Sequence, residues 1–187
     1  MEITKKLHVT TRREWRAWLK KHYKTEREIW LVFYKKHSGK PRLPYGDAVE
    51  EALCFGWIDS TAKPVDADCY AQRFLRRKPS SPYSESNLAR LRAMAERGKV
   101  MTEILADAGD LAPTPLKFPP DILKALKASP EAWANFKKLS PSYKRIRIAY
   151  IDGARKRPEE FDKRLRHFVR MTEKNKIIGF GGIQKYY

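Results

Sequence analysis

Glu28-Ile-Trp-Leu-Val-Phe-Tyr-Lys-Lys36 is the stretch whose character decides what kind of fold this chain adopts. It is apolar on both sides, with Ile29, Leu31 and Phe33 on one and Trp30, Val32 and Tyr34 on the other. Such a run belongs inside a sheet covered on both faces, so a central strand is expected here. Upstream, Thr11-Arg-Arg-Glu14 has the form of a capping box that opens a helix. Trp15, Trp18, Leu19 and His22 then share one helical face. Downstream, Ser38-Gly-Lys-Pro41 reads as a turn, and Asp47 is expected to cap a short helix that Gly56 ends. Trp57 to Lys63 and Cys69 to Arg76 follow as two strands around Pro64-Val-Asp-Ala-Asp68, the pattern of a hairpin.

The second half has a helical grammar. Ser84 is placed to cap a helix that ends at Gly98, and a shorter helix runs from Thr102 to Gly109. Pro113, Pro115, Pro119 and Pro120 mark a linker. Ser129-Pro130 and Ser140-Pro141 pair a capping serine with a proline at the first helical position, and Pro158 offers a third start. Helices are expected near 121–128, 130–139, 141–155 and 158–174. The result is an α+β fold. A small, mainly antiparallel sheet of about three strands is joined by helices and followed by a basic helical module. The expected organisation is an α+β module over 1–112, a linker over 113–120, a helical module over 121–176 and a flexible tail over 177–187.

With 187 residues, 42% of them hydrophobic and 12% aromatic, the chain can bury a sizeable core and is not a disordered basic tail. Its net charge of +18 attracts anions: a phosphorylated or carboxylated small molecule, or a polyanion such as nucleic acid. No stretch approaches the roughly 18 apolar residues of a membrane span, and the first ten residues lack an apolar signal core, so a cytoplasmic location is expected. Cys54 and Cys69 read as buried thiols, not as a disulfide or metal site.

Two regions could carry binding chemistry. A hairpin centred on Asp66 would set Asp59 opposite Arg73 and Trp57 opposite Leu75. Asp59 would then orient Arg73 beside a stacking Trp57. The plainer reading is a cross-strand salt bridge worth less than about 1 kcal/mol. Further on, Arg73, Arg76, Arg77 and Lys78 lead through Ser80 and Ser81 to Ser84 at a helix start. Guanidinium groups, hydroxyls and unpaired backbone N–H groups together suit an anion. The candidate ligand-binding set is Trp57, Asp59, Arg73, Arg77, Ser81, Ser84 and Asn87. An alternative is a nucleic-acid surface on the last helices, using Arg147, Arg164, Arg166 and Arg170 as phosphate contacts. Its plainer counterpart is a solvated amphipathic face.

Enzyme templates find no purchase. GxSxG, HExxH and GxGxxG are absent, and His8, His22, His37 and His167 lie in separate elements. Asp47, Glu50 and Glu51 cluster at a helix start, where the macrodipole accounts for them. No cofactor, metal or catalytic residue is expected. An enzyme acting on a phosphorylated or carboxylated metabolite stands as a second alternative, and it would require a deep pocket around Asp59.

Ile29-Trp-Leu-Val32, Leu43-Pro-Tyr45 and Glu51-Ala-Leu-Cys-Phe-Gly-Trp-Ile-Asp-Ser60 form a recognisable set. Arg77-Lys-Pro, Ser81, Tyr83-Ser84, Asn87 and the later Leu139-Ser-Pro-Ser-Tyr143 extend it. From about Trp15 to Arg170 the chain resembles the bacteriocin-protection family, also called YdeI or OmpD-associated. Tyr83 and Arg76 depart from that family's usual Trp and Pro, both within the candidate anion loop. The resemblance implies a cytosolic protein of two modules linked to antimicrobial-peptide or envelope-stress tolerance, and it brings no catalytic residues. A chain of charge +18 repels cationic peptides at long range, so an anionic partner fits that role better than direct capture.

Overall fold

The computed structural model describes residues 2–78, 81–113, 115 and 117–187. Its elements run β1 (Lys6–Leu7), α1 (Arg12–His22), β2 (Glu28–Tyr34), a 3-10 turn (Lys36–Ser38), α2 (Tyr45–Cys54), β3 (Trp57–Pro64) and β4 (Cys69–Arg76). They continue through α3 (Glu85–Glu96), α4 (Thr102–Ala108), α5 (Pro120–Lys127), α6 (Pro130–Lys138), α7 (Pro141–Asp152), α8 (Pro158–Glu173) and a 3-10 turn (Ile183–Tyr186). The chain divides into two compact units. One holds Met1–Pro82 with Arg90–Leu111, the other Tyr83–Ala89 with Ala112–Tyr187, so the division falls within α3.

The first unit is built on a sheet of order β1-β2-β4-β3. β2 is central, as its two apolar faces require, with only Glu28 and Tyr34 less than fully buried. Trp30 and Val32 pack with Cys69 and Ala71 on one side. On the other, Trp15 of α1 meets Phe74 at a ring separation of 5.4 Å. The Thr11 capping box is complete, and Trp15 and Leu19 on the helix face it launches are fully buried. Gly56 turns the chain from α2 into β3 at φ +71, where a Cβ would meet Ile104 Cδ1 at 2.7 Å.

Three details differ from the sequence reading. β1 adds a fourth, parallel strand, which makes the sheet mixed. At two residues it is too short to show a period. Helix α2 starts at Tyr45 after Pro44, with no side-chain cap, so Asp47 lies in the first turn instead of capping it. The hairpin register is also shifted. Trp57 faces Arg76 and Asp59 faces Phe74, with an irregularity between Asp59 and Ala62. Pairing reaches Pro64 opposite Tyr70, so the loop centres one residue later than Asp66. The Asp66 carboxylate shapes that loop by accepting from the N–H groups of Asp68 (2.7 Å) and Cys69 (2.8 Å).

The second unit packs α5 to α8 around Ile122, Leu126, Ala132, Phe136, Tyr143, Ile148, Ile151 and Phe168. Ser129 and Ser140 cap α6 and α7 as their Ser-Pro grammar requires, accepting from Ala132 N and Tyr143 N at 3.2 and 3.1 Å. The tail segment makes contacts with this core. Tyr143 Oη accepts from Ile178 N (2.9 Å), Tyr187 Oη donates to the Ile178 carbonyl (2.7 Å) and Ile183 is buried. Three glycines mask, in the sequence, the apolar anchors Ile183 and Tyr187 that hold the tail.

Candidate functional site

Asp59 and Arg73 do not pair. A one-residue slip in register sends a side chain to the other face of the sheet, and the two residues take separate partners. Asp59 accepts from Tyr45 Oη at 2.5 Å. Burial, then the Asp59 charge, push the Tyr45 phenol far above its ordinary range. Arg73 donates to Glu28 through Nε (3.0 Å) and a terminal nitrogen, and these bonds hold the Glu28 carboxyl below the usual range. Trp57 has no exposed surface. Its Nε1 donates to the Tyr23 carbonyl at 3.2 Å and its ring meets Trp18 edge-on at 5.7 Å, so it is a core residue without a stacking face to offer.

The loop after β4 is also used internally. The Arg77 side chain is 7% exposed, lies 4.0 Å from Asp107 and donates to the Ser81 carbonyl. Its backbone N–H donates to Gly56 O at 2.9 Å. Ser84 Oγ accepts from Asn87 N at 3.3 Å, a helix-capping bond. Ser81 and Arg77 belong to the first unit, Ser84 and Asn87 to the second. Ser80 lies outside the described residues.

The acidic residues near α2 have a different role from that expected. Glu50 and Glu51 are fully buried at the face toward α1. Glu51 is bonded by Arg12 Nε (2.6 Å) and Arg16 Nη1 (2.5 Å), and Glu50 by a terminal nitrogen of Arg12. Arg16 also donates to Lys99 O at 2.7 Å. The signal in the sequence is Arg12 and Arg16, four residues apart on α1. Nothing local, however, says which carboxylates they reach. Cys54 sits in the same layer, and burial pushes its thiol up to about 12.

Of the four arginines of the alternative site, Arg147 is the most informative. It is 9% exposed, and its Nε is sealed from solvent with no hydrogen-bond partner. Among the described residues no carboxylate pairs with it. Its guanidinium lies 4.9 Å from the ring centroid of Tyr150. Arg164 lies over the same ring at 3.8 Å, donates to the Tyr150 carbonyl at 2.7 Å and is neutralised by Glu160 at 2.7 Å. Arg166 and Arg170 stand in solvent, Arg170 beside His167 Nδ1 at 3.3 Å.

The magnitudes decide what Arg147 lacks. Withdrawing an ion from water costs several kcal/mol, and a desolvated cation–π contact returns about 2 kcal/mol. Tyr150 therefore meets only part of the cost. Among the described residues, no cluster of His, Cys, Asp or Glu is arranged to hold a metal, and no helix is long and apolar enough to cross a membrane.

No curated protein and no solved structure matches the chain. Two families match it in succession. The strings around Ile29, Leu43 and Gly56 fall within the first, and Leu139-Ser-Pro-Ser-Tyr143 within the second, as does Arg147. Over residues 7–107, more than half its length, the chain belongs to the family described as Domain of unknown function (DUF8412), and residues 115–175 match the family described as Bacteriocin-protection, YdeI or OmpD-Associated.

Proposed function

We propose that this chain is a non-enzymatic, anion-binding protein of the bacteriocin-protection type, and that its anion site lies at Arg147 beside Tyr150. The observation that carries this reading is a guanidinium nine-tenths buried without a counter-charge, inside the segment that matches the bacteriocin-protection family. The net charge of +18 supports it by raising the local concentration of anions. The loop at Arg77 is the weaker candidate, because its arginine is already spent on Ser81 O and Asp107. Tolerance of antimicrobial peptides follows in this reading from an anionic partner, since a cationic peptide is repelled.

The nucleic-acid version adds the exposed Arg166 and Arg170 as phosphate contacts. The Tyr150 ring already carries two guanidinium groups, which favours a compact anion over a stacked base. Titrating wild type with tripolyphosphate by calorimetry, and with a labelled single-stranded oligonucleotide by anisotropy, separates the two. Arg147→Gln should weaken tripolyphosphate binding at least tenfold while the melting curve stays cooperative. If the oligonucleotide binds tightly, Arg166→Gln with Arg170→Gln should lower the salt slope by about 0.7 for each arginine replaced, and the partner is nucleic acid. Absence of binding by both probes, or binding that ignores Arg147→Gln, overturns the assignment.

A further inference from the structure

Among the described residues three large apolar side chains stand in solvent. Tyr150 is one, with two guanidinium groups against its ring, and the others are Ile177 (52% exposed) and Phe180 (75%). The backbone sets these last two out. Asn175, at φ +51, ends α8, with Lys176 N–H bonded to Met171 O at 2.9 Å and Asn175 N–H to Thr172 O at 3.0 Å. Ile178 N–H is then held by Tyr143 Oη, so Ile177 lies between two fixed points. Phe180 O accepts from Ile183 N–H at 3.1 Å across Gly181 and Gly182, whose φ of +57 and +74 would strain any side chain. Ile183, closing that turn, is buried, while Phe180, opening it, stays in solvent. Lys174, Lys176 and Lys185 are exposed around the pair, and residues 174–187 contain no Asp or Glu.

We infer that Ile177 and Phe180 are the insertion points of a peripheral membrane-binding surface, with the flanking lysines facing the headgroups of an anionic lipid leaflet. Two apolar side chains are too little for a stable protein interface, which takes about 800 Å² from each partner and is depleted in lysine. A lipid surface asks for no matching shape. The apolar tips leave water for the boundary between headgroups and acyl chains, and the long lysine stems let each ammonium reach a phosphate. Each lysine held near an anionic leaflet strengthens binding about fivefold. This surface shares no residue with the site at Arg147, and the two stand or fall separately.

Two measurements on the full chain test the assignment: co-sedimentation with phosphatidylcholine vesicles with and without phosphatidylglycerol, and the surface pressure of monolayers of the same lipids. Wild type should bind the vesicles that contain phosphatidylglycerol and raise the pressure of that monolayer. A chain of charge +18 adsorbs to any anionic surface, so the decisive variant keeps the charge. Ile177→Ser with Phe180→Ser should weaken vesicle binding at least tenfold and remove the pressure rise, while Phe180→Trp preserves both. Lys174→Gln with Lys176→Gln should weaken binding about twenty-fivefold, which reads the same surface with its apolar tips intact. The proposal is overturned by failure to bind phosphatidylglycerol vesicles, or by binding and pressure that the double serine variant leaves unchanged. Self-association in place of vesicle binding, abolished by the double serine variant in sedimentation velocity, would also overturn it and assign the patch to a second copy of the chain.

Discussion

Glu51 shows how far a residue's role can lie from its local context. In sequence it is one of three acids near a helix start. In the fold it is fully buried, and two arginines from α1 close on its two oxygens at 2.6 and 2.5 Å. The charges offset one another, so the cost appears only when one is removed. Glu51→Ala leaves Arg12 and Arg16 against a partly desolvated surface. Breaking a buried pair costs about 3–5 kcal/mol, and these arginines keep about a third of their side chains in solvent, so a loss near the lower end is expected. Urea unfolding should show a lower midpoint at unchanged slope. A midpoint within experimental error of wild type would mean that the pair fastens nothing. Asp59 and Arg73 teach the complementary lesson. Strand spacing makes them two halves of one site, yet each has a nearer partner, Tyr45 and Glu28, that no spacing along the strand could reveal.

Elements are far more legible in the sequence than residues. The capping box at Thr11 and the Ser-Pro starts at residues 129 and 140 are closed by hydrogen bonds within four residues, and the structure holds all three. Ser140→Ala should therefore cost about 1 kcal/mol, read as a fall in melting temperature of the second unit, with Ser140→Asp restoring most of it. The hairpin is legible as a hairpin and illegible in register. Its two strands and connecting loop are where the alternation puts them. The pairing depends on how Asp66 folds the loop and on an irregularity between Asp59 and Ala62, and a one-residue error there inverts both faces.

At the scale of the whole molecule, distant contacts replace patterns. In the tail, which carries three glycines, Ile183 is buried and Tyr187 meets Tyr143 edge-on at a ring separation of 4.7 Å. Deleting residues 178–187 should destabilise the second unit by about 3 kcal/mol, the burial of Ile183 together with part of Tyr187. Loss of near-ultraviolet ellipticity and an earlier melt would report it, and an unchanged melt would show the tail to be an ornament. The sequence by itself determined the α+β class, the central place of β2 and the succession of capped helices, because these rest on periodicity and on bonds between near neighbours. Only the tertiary structure decided that Glu50 and Glu51 are fasteners, that Arg73 and Arg77 are occupied, and that Arg147 is buried without a counter-charge. Those outcomes depend on which surfaces meet across tens of residues, and charge chemistry is set by what stands opposite a group, not by what precedes it in the chain.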